Sequence, residues 1–228
     1  MMRKLLISLA DLFKWIMELP KWGKVIVASG TIVAALSPFL SSIEEWLMPF
    51  VIKPPVLQAP FDVSRHYRPG GFMGDGEKCA NCIEINDAYS GKARPGSGHA
   101  FSVRVSYSQT AEKKFAGIYW SWPDHNWGEH PGWRVTGATR VSFWAAGDKG
   151  GEIVEFKAGG IAKGDKRPFS DTFEASLGKV VLTKEWQHFD IDLGSCSLKD
   201  VIGAFAWTAA ANWNPKPTVF YLDDIRYE

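Results

Sequence analysis

A cluster of aromatic and polar side chains between residues 119 and 133 offers the clearest chemistry in the sequence. Its aromatic members are Tyr119, Trp120, Trp122, Trp127 and Trp133, and its polar members are Asp124, His125, Asn126, Glu129 and His130. An aromatic ring can stack on the apolar C–H face of a sugar, while carboxylate, amide and imidazole groups bond to its hydroxyls. Residues 123–133 (PDHNWGEHPGW) are too polar and turn-rich for a core strand, so they are predicted to be a loop beside a strand.

Some of these aromatic residues must also pack in the hydrophobic core. Trp120 and Trp122 alternate with Tyr119 and Ser121, so one of these two sets faces inward. We expect two of the five aromatic residues to be core residues, and Trp127 and Trp133 to be the exposed ones. Trp213 lies in another polar turn and could join them.

The chain ends on a strand-like run with an acidic pair, Asp223 and Asp224, among aromatic and aliphatic residues. An unpaired buried carboxylate is costly. A cation, usually calcium, would explain the pair. A tight hairpin or a solvated strand edge would explain it equally well.

Three cysteines are present, two of them in the motif Cys79-x-x-Cys82 and the third at Cys196. A zinc site would need more ligands, and a thioredoxin-like motif would need a βαβ context. A loop disulfide is predicted instead, either within the motif or from one of its members to Cys196.

Catalysis ranks third among the functions considered. The acidic pairs Glu152/Glu155 and Asp190/Asp192 do not match a glycosidase pattern and are better explained as a solvated strand face. The histidines show no ligand spacing on a helix, and no phosphate-binding or nucleophile motif occurs. A non-enzyme is therefore expected.

Composition limits the other classes. The chain has 228 residues, a formal charge of +1, 46% hydrophobic residues and 11 Trp. No basic field suggests nucleic acid as a partner. The hydrophobic content is sufficient for a real core, and the length fits one domain with accessory segments.

The first 60 residues differ from the rest. Residues 1–20 show polar residues spaced by three or four, which predicts an amphipathic helix suited to a membrane surface or an apolar partner. Residues 21–48 contain an uncharged stretch at 25–43, which predicts one transmembrane helix. A soluble buried hairpin helix and a cleaved signal peptide are the alternatives. Residues 49–60 are rich in Pro and are predicted to be a stalk.

Flanking charge predicts the orientation of that span. Five basic residues precede it, and two acidic ones follow it at once. The positive-inside rule then places the N-terminus in the cytoplasm and the C-terminal domain outside, in a single-pass protein that contacts the lipid bilayer through residues 1–48.

Residues 61–228 show no long helical period. Short β-rich runs recur between Gly and Pro residues. These runs are 101–107, 115–122, 140–145, 153–157, 179–183, 188–193, 202–207 and 218–225. About eight strands in this length predict an all-β fold, a two-sheet antiparallel β-sandwich of jelly-roll type.

Several segments in this order have a familiar pattern. They are 71–75 (GFMGD), 116–120 (AGIYW), 136–145 (TGATRVSFWA), 182–187 (LTKEWQ), 191–193 (IDL) and 220–225 (FYLDDI). Together they make the stretch 72–228 resemble the galactose-binding-like β-sandwich domains, which include many carbohydrate-binding modules. The resemblance does not cover residues 1–60 or the Cys79–Cys82 motif.

The resemblance implies a structural calcium ion where the first and last strands meet. Its ligands would come from Asp223 and Asp224, with Asp75 from the start of the domain; Glu77 and Asp62 are alternatives to Asp75. It also implies a polysaccharide or other glycan as partner. The residues expected to contact it are Trp120, Trp122, Asp124, Asn126, Trp127, Trp133 and Trp213.

Two functions follow as expectations. The first is non-catalytic carbohydrate binding by aromatic stacking and polar side chains, on the outer side of a membrane. The alternative is a structural or protein-interaction module of a membrane-anchored assembly with no sugar site. Exposed Trp127, Trp133 and Trp213 on one concave surface would favour the first, and scattered or buried Trp residues the second.

Overall fold

The computed structural model describes residues 54–79, 81–109 and 114–228. The predicted amphipathic helix, the predicted transmembrane helix and the first part of the stalk (49–53) lie outside these ranges. Within the described ranges, no helix is both long and apolar enough to cross a membrane.

Thirteen strands account for nearly half of the described residues. They are β1 (Val56–Gln58), β2 (Phe61–Asp62), β3 (Arg68–Gly74), β4 (Ile83–Tyr89), β5 (Ser102–Tyr107), β6 (Phe115–Ser121), β7 (Arg134–Thr136), β8 (Arg140–Gly147), β9 (Ile153–Gly159), β10 (Glu174–Val181), β11 (Gln187–Asp192), β12 (Gly203–Ala210) and β13 (Thr218–Tyr227). A short helix, α1 (Val63–His66), follows β2, and a 3-10 turn (Asp75–Glu77) follows β3.

The strands form two large antiparallel sheets. The five-stranded sheet has the order β10-β9-β12-β6-β3, and the six-stranded sheet has the order β11-β8-β13-β5-β4, with β2 beside the end of β13. A separate parallel pair joins β1 to β7. The predicted all-β antiparallel sandwich is therefore confirmed, and its architecture is consistent with a jelly roll.

The core lies between the two large sheets. In β9, Val154, Phe156 and Ala158 are buried, while the residues between them are only partly buried, because successive strand side chains point to opposite faces. The Phe156 ring lies 5.9 Å from Phe205 of β12 and 4.8 Å from Phe143 of β8, so it contacts both sheets. Burying each such side chain stabilises the fold by roughly 1.5–3 kcal/mol.

Seven of the eight predicted runs begin within one residue of an observed strand. The run 179–183 matches only the end of β10, whose first half is interrupted by a bulge between Ser176 and Gly178. The strands that were not predicted, β1 to β4 and β7, are short or contain Gly, Pro or an irregular register.

The start of the domain was placed too late. Residues 56–58, predicted as part of the stalk, form β1, and Leu57 is buried in the core. The folded domain therefore begins by residue 56, since a strand that pairs with β7 and packs Leu57 into the core cannot belong to an extended linker.

Candidate functional site

Two rows of side chains cross the side of the five-stranded sheet that faces away from the main core. From β10 to β3, the first row is Lys179, Glu155, Thr208, Gly117 and Met73, and the second is Ser176, Lys157, Ala206, Tyr119 and Gly71. We call these ten residues the outer face. In the first row, Thr208 and Gly117 on the middle strands are small and leave a low floor. In the second row, Ala206 and Tyr119 are buried in an apolar cluster. At Gly117 a Cβ atom would lie 2.4 Å from the carbonyl oxygen of Trp207, so only glycine fits there.

Trp127 stands at one side of this floor. Its ring packs edge-to-face on Tyr119, with centroids 5.8 Å apart. It also packs on a small apolar cluster built around Tyr119, whose other buried members are Ile161, Phe169, Ile202 and Ala206. Trp127 was expected to be exposed, and it is partly buried. Its ring borders the outer face.

Asn126 builds the loop that presents Trp127. Its amide nitrogen donates to the carbonyl oxygens of Trp122 (3.0 Å) and His130 (2.8 Å), and its amide oxygen accepts from the N–H groups of Gly128 and His130. Asn126 is 2% exposed. Its polar atoms already have partners within the loop, which corrects the prediction that it contacts a ligand.

A second loop packs against the first. Gly128 has a φ of +111°, and its carbonyl oxygen accepts from the N–H of Phe169 at 3.0 Å. A Cβ atom at Gly128 would lie 2.5 Å from the carbonyl oxygen of Phe169. Both the positive φ and this close approach require glycine, because it lacks a side chain.

Asp171 fixes the second loop to the sheet. Its carboxylate accepts from the N–H groups of Ile161 (2.8 Å), Ile202 (2.6 Å) and Gly203 (3.2 Å). Burial raises the pKa of Asp171 to about 7, although the three N–H donors act in the opposite direction; nearby Asp200 adds to the increase. Ile161 and Ile202 belong to the cluster that supports Trp127, so this carboxylate also positions the border of the outer face.

Trp213 lies at the opposite side, beside β10. The Lys179 ammonium is 4.2 Å from the centroid of its ring. The next residue, Asn214, is buried and bonds to both backbone groups of Ile153, which holds this turn against β9. Trp213 and Trp127, both predicted from their polar turns, therefore approach the outer face from different loops.

Charges on this side of the sheet are paired with one another. The Lys157 ammonium lies 3.4 Å from Glu155 and 3.5 Å from Glu174. Thr208 donates to Glu155 at 3.3 Å. The alternation of residues in β9 predicts that Glu155 and Lys157 share the face opposite the core. Alternation alone does not distinguish a ligand-binding face from an ordinary solvated face.

The other predicted Trp residues lie elsewhere. Trp120 is 3% exposed and packs edge-to-face on Phe205 in the core, which corrects its placement at an exposed ligand surface. Trp122 and Trp133 are partly buried and pack on each other, with ring centroids 4.6 Å apart. They therefore form a separate pair against the core and do not join Trp127 and Trp213.

Asp124 is exposed, and its side chain accepts from the N–H of His125 at 3.0 Å. It lies against Gly70, where an added Cβ atom would meet its carboxylate oxygen at 1.9 Å. Asp124 is therefore accessible, but its contacts are with β3 and its own turn and not with Trp127.

The terminal acidic pair has a counter-ion that the sequence did not suggest. The Arg94 guanidinium donates to Asp223 at 2.9 Å and also to Asp224, and its carbon lies 4.7 Å from the centroid of the Trp144 ring. His99 lies 3.2 Å from Asp223. Burial and the neighbouring Asp224 raise the pKa of Asp223, while Arg94 and His99 act in the opposite direction.

Asp75, the third predicted calcium ligand, does not join this pair. It is buried and accepts a hydrogen bond from the Tyr107 hydroxyl at 2.6 Å. Tyr107 pairs with Thr218, five residues before Asp223 on β13, which corresponds to roughly 17 Å along the strand.

Calcium prefers six to eight oxygen ligands. Here both carboxylates of the pair already bond to Arg94, and the remaining nearby group is a histidine nitrogen. These donors fit calcium poorly, so we expect no calcium ion at this pair, and a chelator experiment tests this against the expectation from the sequence.

The cysteines follow one of the two predicted arrangements. Cys79 is bonded to Cys82, and Cys196 is a free, partly buried thiol. The bond closes the turn after Asp75, at the opposite end of β3 from Arg68.

The chain is thus an antiparallel β-sandwich with a bordered face on one sheet. No protein-family model matches it, and no curated protein does. The solved structures that match include carbohydrate-binding modules. A family 11 module of a cellulosomal cellulase of Clostridium thermocellum has a TM-score of 0.45 and 16% identity, and covers 75% of this chain and 94% of that chain.

Two family 30 carbohydrate-binding modules give similar values. One has a TM-score of 0.46 and 13% identity, and covers 75% of this chain and 98% of that one. The other, from a cellulosomal cellulase of Clostridium thermocellum, has a TM-score of 0.42 and 13% identity, and covers 75% and 93%. This likeness concerns the sandwich architecture, and it assigns no ligand to the present chain.

Proposed function

We propose that the protein is a non-catalytic module that binds a polysaccharide across the outer face, as a galactose-binding-like sandwich. The observation that supports this most is that Trp127 and Trp213 approach one floor of small residues from two separate loops. Aromatic borders with a few fixed polar groups suit sugar rings, which have both apolar and hydroxyl-bearing surfaces.

The spacing favours a polymer over a single sugar. Trp127 contacts Tyr119 on β6, and Trp213 contacts Lys179 on β10. These two strands are three strand spacings apart, or about 14 Å. Aromatic contacts act over ring distances of about 4.5–7 Å. One sugar ring therefore cannot contact both Trp residues, and a ligand that uses both must contain several rings.

The charges favour a neutral polymer. Lys157 is neutralised by Glu155 and Glu174, and the exposed Lys179 ammonium rests on Trp213, from which a sugar ring can displace it. Without an excess of one charge, the affinity should depend little on salt.

Binding is tested with the full-length chain against a panel of neutral and acidic polysaccharides by affinity electrophoresis. Trp127→Ala and Trp213→Ala should each weaken binding about tenfold or more, as expected for aromatic anchors. Trp186→Ala is the matched control, because Trp186 packs near Tyr221 of the other sheet. The proposal would be overturned if the folded wild-type chain bound no polysaccharide, or if both variants bound as tightly as the wild type.

The alternative is a protein-interaction face, and one observation favours it. Phe115 and Val181 are large hydrophobic residues with 40% and 60% exposure, at the ends of β6 and β10 in the same sheet. If no glycan binds, Phe115→Ser and Val181→Ser should then release a partner that co-purifies with the wild-type chain.

We further propose that residues 1–48 attach the module to a lipid bilayer in a single pass, with the sandwich on the extracytoplasmic side. The support is the uncharged stretch 25–43 and the charge difference across it. The chain should then stay with membranes through an alkaline wash, and a variant lacking residues 1–53 should be released. Release of the full chain by that wash would contradict the anchor.

A further inference from the structure

The six-stranded sheet has a gap along one side of β13. Strand β5 pairs with β13 as far as Leu222, and β2 pairs with it only from Arg226. Between them lie Asp223, Asp224 and Ile225, where the register shifts and Asp224 has a φ of +46°. In the described part of the chain, these three residues have no strand neighbour on that side.

A cavity of about 620 Å³ opens at this gap. Besides the three residues of β13, its lining includes Arg68, Asp87, Phe101, Ser102 and Trp120. Its volume lies within the range of small-molecule sites, roughly 300–1,000 Å³. Trp120 is the buried aromatic residue of the core, and Phe101 is 49% exposed. No residue of the outer face lines the cavity, so the two places are separate.

Ser102 is the unexplained polar group in the wall. The residue is 3% exposed, and its hydroxyl has no hydrogen-bond partner among the residues that the structure describes. A buried hydroxyl without a partner is unfavourable for the folded protein. A ligand hydroxyl in the cavity would supply the missing bond, because a hydroxyl both donates and accepts.

The charges around the cavity nearly cancel. Asp223 and Asp224 pair with Arg94 and His99. Asp62 pairs with Arg65 at 3.1 Å and lies 3.7 Å from Arg226.

Among the described residues, this leaves one lining acid and one lining base without an ion-pair partner, Asp87 and Arg68. Arg68 donates to the backbone carbonyl oxygens of Ser64 and Tyr67. A metal ion or a polyanion would meet no excess of opposite charge, whereas a neutral ligand with many hydroxyls would find both acceptors and donors.

We infer that this cavity is a second binding site, which takes roughly one or two rings of a neutral saccharide. Ser102 and Asp87 bond to the ligand hydroxyls, and Phe101 covers an apolar ring face. The site is independent of the outer face: it would hold a short saccharide or a chain end, while the outer face takes the length of a polymer.

The test is an NMR titration of the full-length chain with methyl glucoside, methyl galactoside and cellobiose. At least one of these should shift the resonances of Phe101 and its neighbours in β5. Ser102→Ala should weaken that binding about 3- to 10-fold, the value of one neutral hydrogen bond. The same change should leave Tm equal or higher, because it removes an unsatisfied hydroxyl.

Ser106→Ala is the matched control, since Ser106 lies on the same strand, does not line the cavity and bonds to Glu84 at 3.4 Å. Trp127→Ala separates the two proposals, because it should weaken polysaccharide binding about tenfold or more and leave the binding of the small saccharides unchanged. The inference is overturned if none of the three saccharides binds, or if Ser102→Ala binds them as the wild type does. The free amino acid glycine, added in place of the saccharides, should not shift these resonances. Shifts with free glycine would equally overturn the inference, since they would identify a site for a zwitterion.

Discussion

Replacing Arg94 with Met should destabilise the sandwich strongly. The Arg94 side chain is 10% exposed, and its partner Asp223 is 4% exposed. Met preserves much of the volume but leaves Asp223 and Asp224 without their buried counter-ion. Breaking a buried pair by removing one partner costs about 3–5 kcal/mol. The contact with Trp144 at 4.7 Å adds about 0.5–2 kcal/mol. For a domain of this size, about 2–4 °C of Tm corresponds to each kcal/mol, so Tm should fall by roughly 7–28 °C.

Thermal unfolding followed by circular dichroism measures this change. Arg140→Met is the control, because Arg140 pairs with Asp190 and Glu228 at an exposed position, where ion pairs contribute little. Adding Asp223→Asn and Asp224→Asn to Arg94→Met should recover much of the loss, since no buried charge then lacks a partner. A fall in Tm after Arg94→Met no larger than after Arg140→Met would refute the view that Arg94 neutralises a buried pair.

Three further outcomes are expected. Since burial raises the pKa of Asp171 to about 7, above its unfolded value, its contribution to stability is present below about pH 4 and is lost as the pH rises towards 7. Urea unfolding should therefore show the wild type losing at most roughly 4 kcal/mol between pH 4 and 8 and Asp171→Asn losing clearly less; parallel pH profiles would contradict this. A chelator should leave Tm unchanged, because Arg94 occupies the acidic pair; a fall of several degrees, reversed by calcium, would show that the ion displaces it. Titration of the unfolded, unreduced protein should find one free thiol, that of Cys196, and three would exclude the Cys79–Cys82 bond.

Much of the sandwich could be predicted from side-chain alternation. The strands of the core, such as β9 and β11, alternate between buried and exposed residues, and alternation is visible in a single sequence. β3 (RPGGFMG) could not be predicted in this way, because its glycines provide no side chains to alternate, although it pairs with β6 along most of its length.

The candidate site was predictable only in part. Trp127 and Trp213 were found because polar, turn-rich neighbours distinguish a loop aromatic residue from a core one. Trp120 could not be assigned, since alternation shows that Tyr119 and Trp120 face opposite sides but not which of them faces the core. Trp133 lies in the same loop sequence as Trp127, and only its tertiary contact with Trp122 shows that it belongs to a different cluster.

The acidic pair, the gap in the six-stranded sheet and the cavity have one structural cause. A regular strand would direct Asp223 and Asp224 to opposite faces, one of them into the core. The shift in register between Asp223 and Arg226 and the positive φ of Asp224 instead allow both carboxylates to meet Arg94, which is 129 residues away from Asp223 in sequence. The same irregularity ends pairing with β5 and delays pairing with β2, which opens the wall beside Ser102. The two acids are therefore tolerated in an apolar strand because the strand is interrupted where they occur, and the interruption creates the cavity.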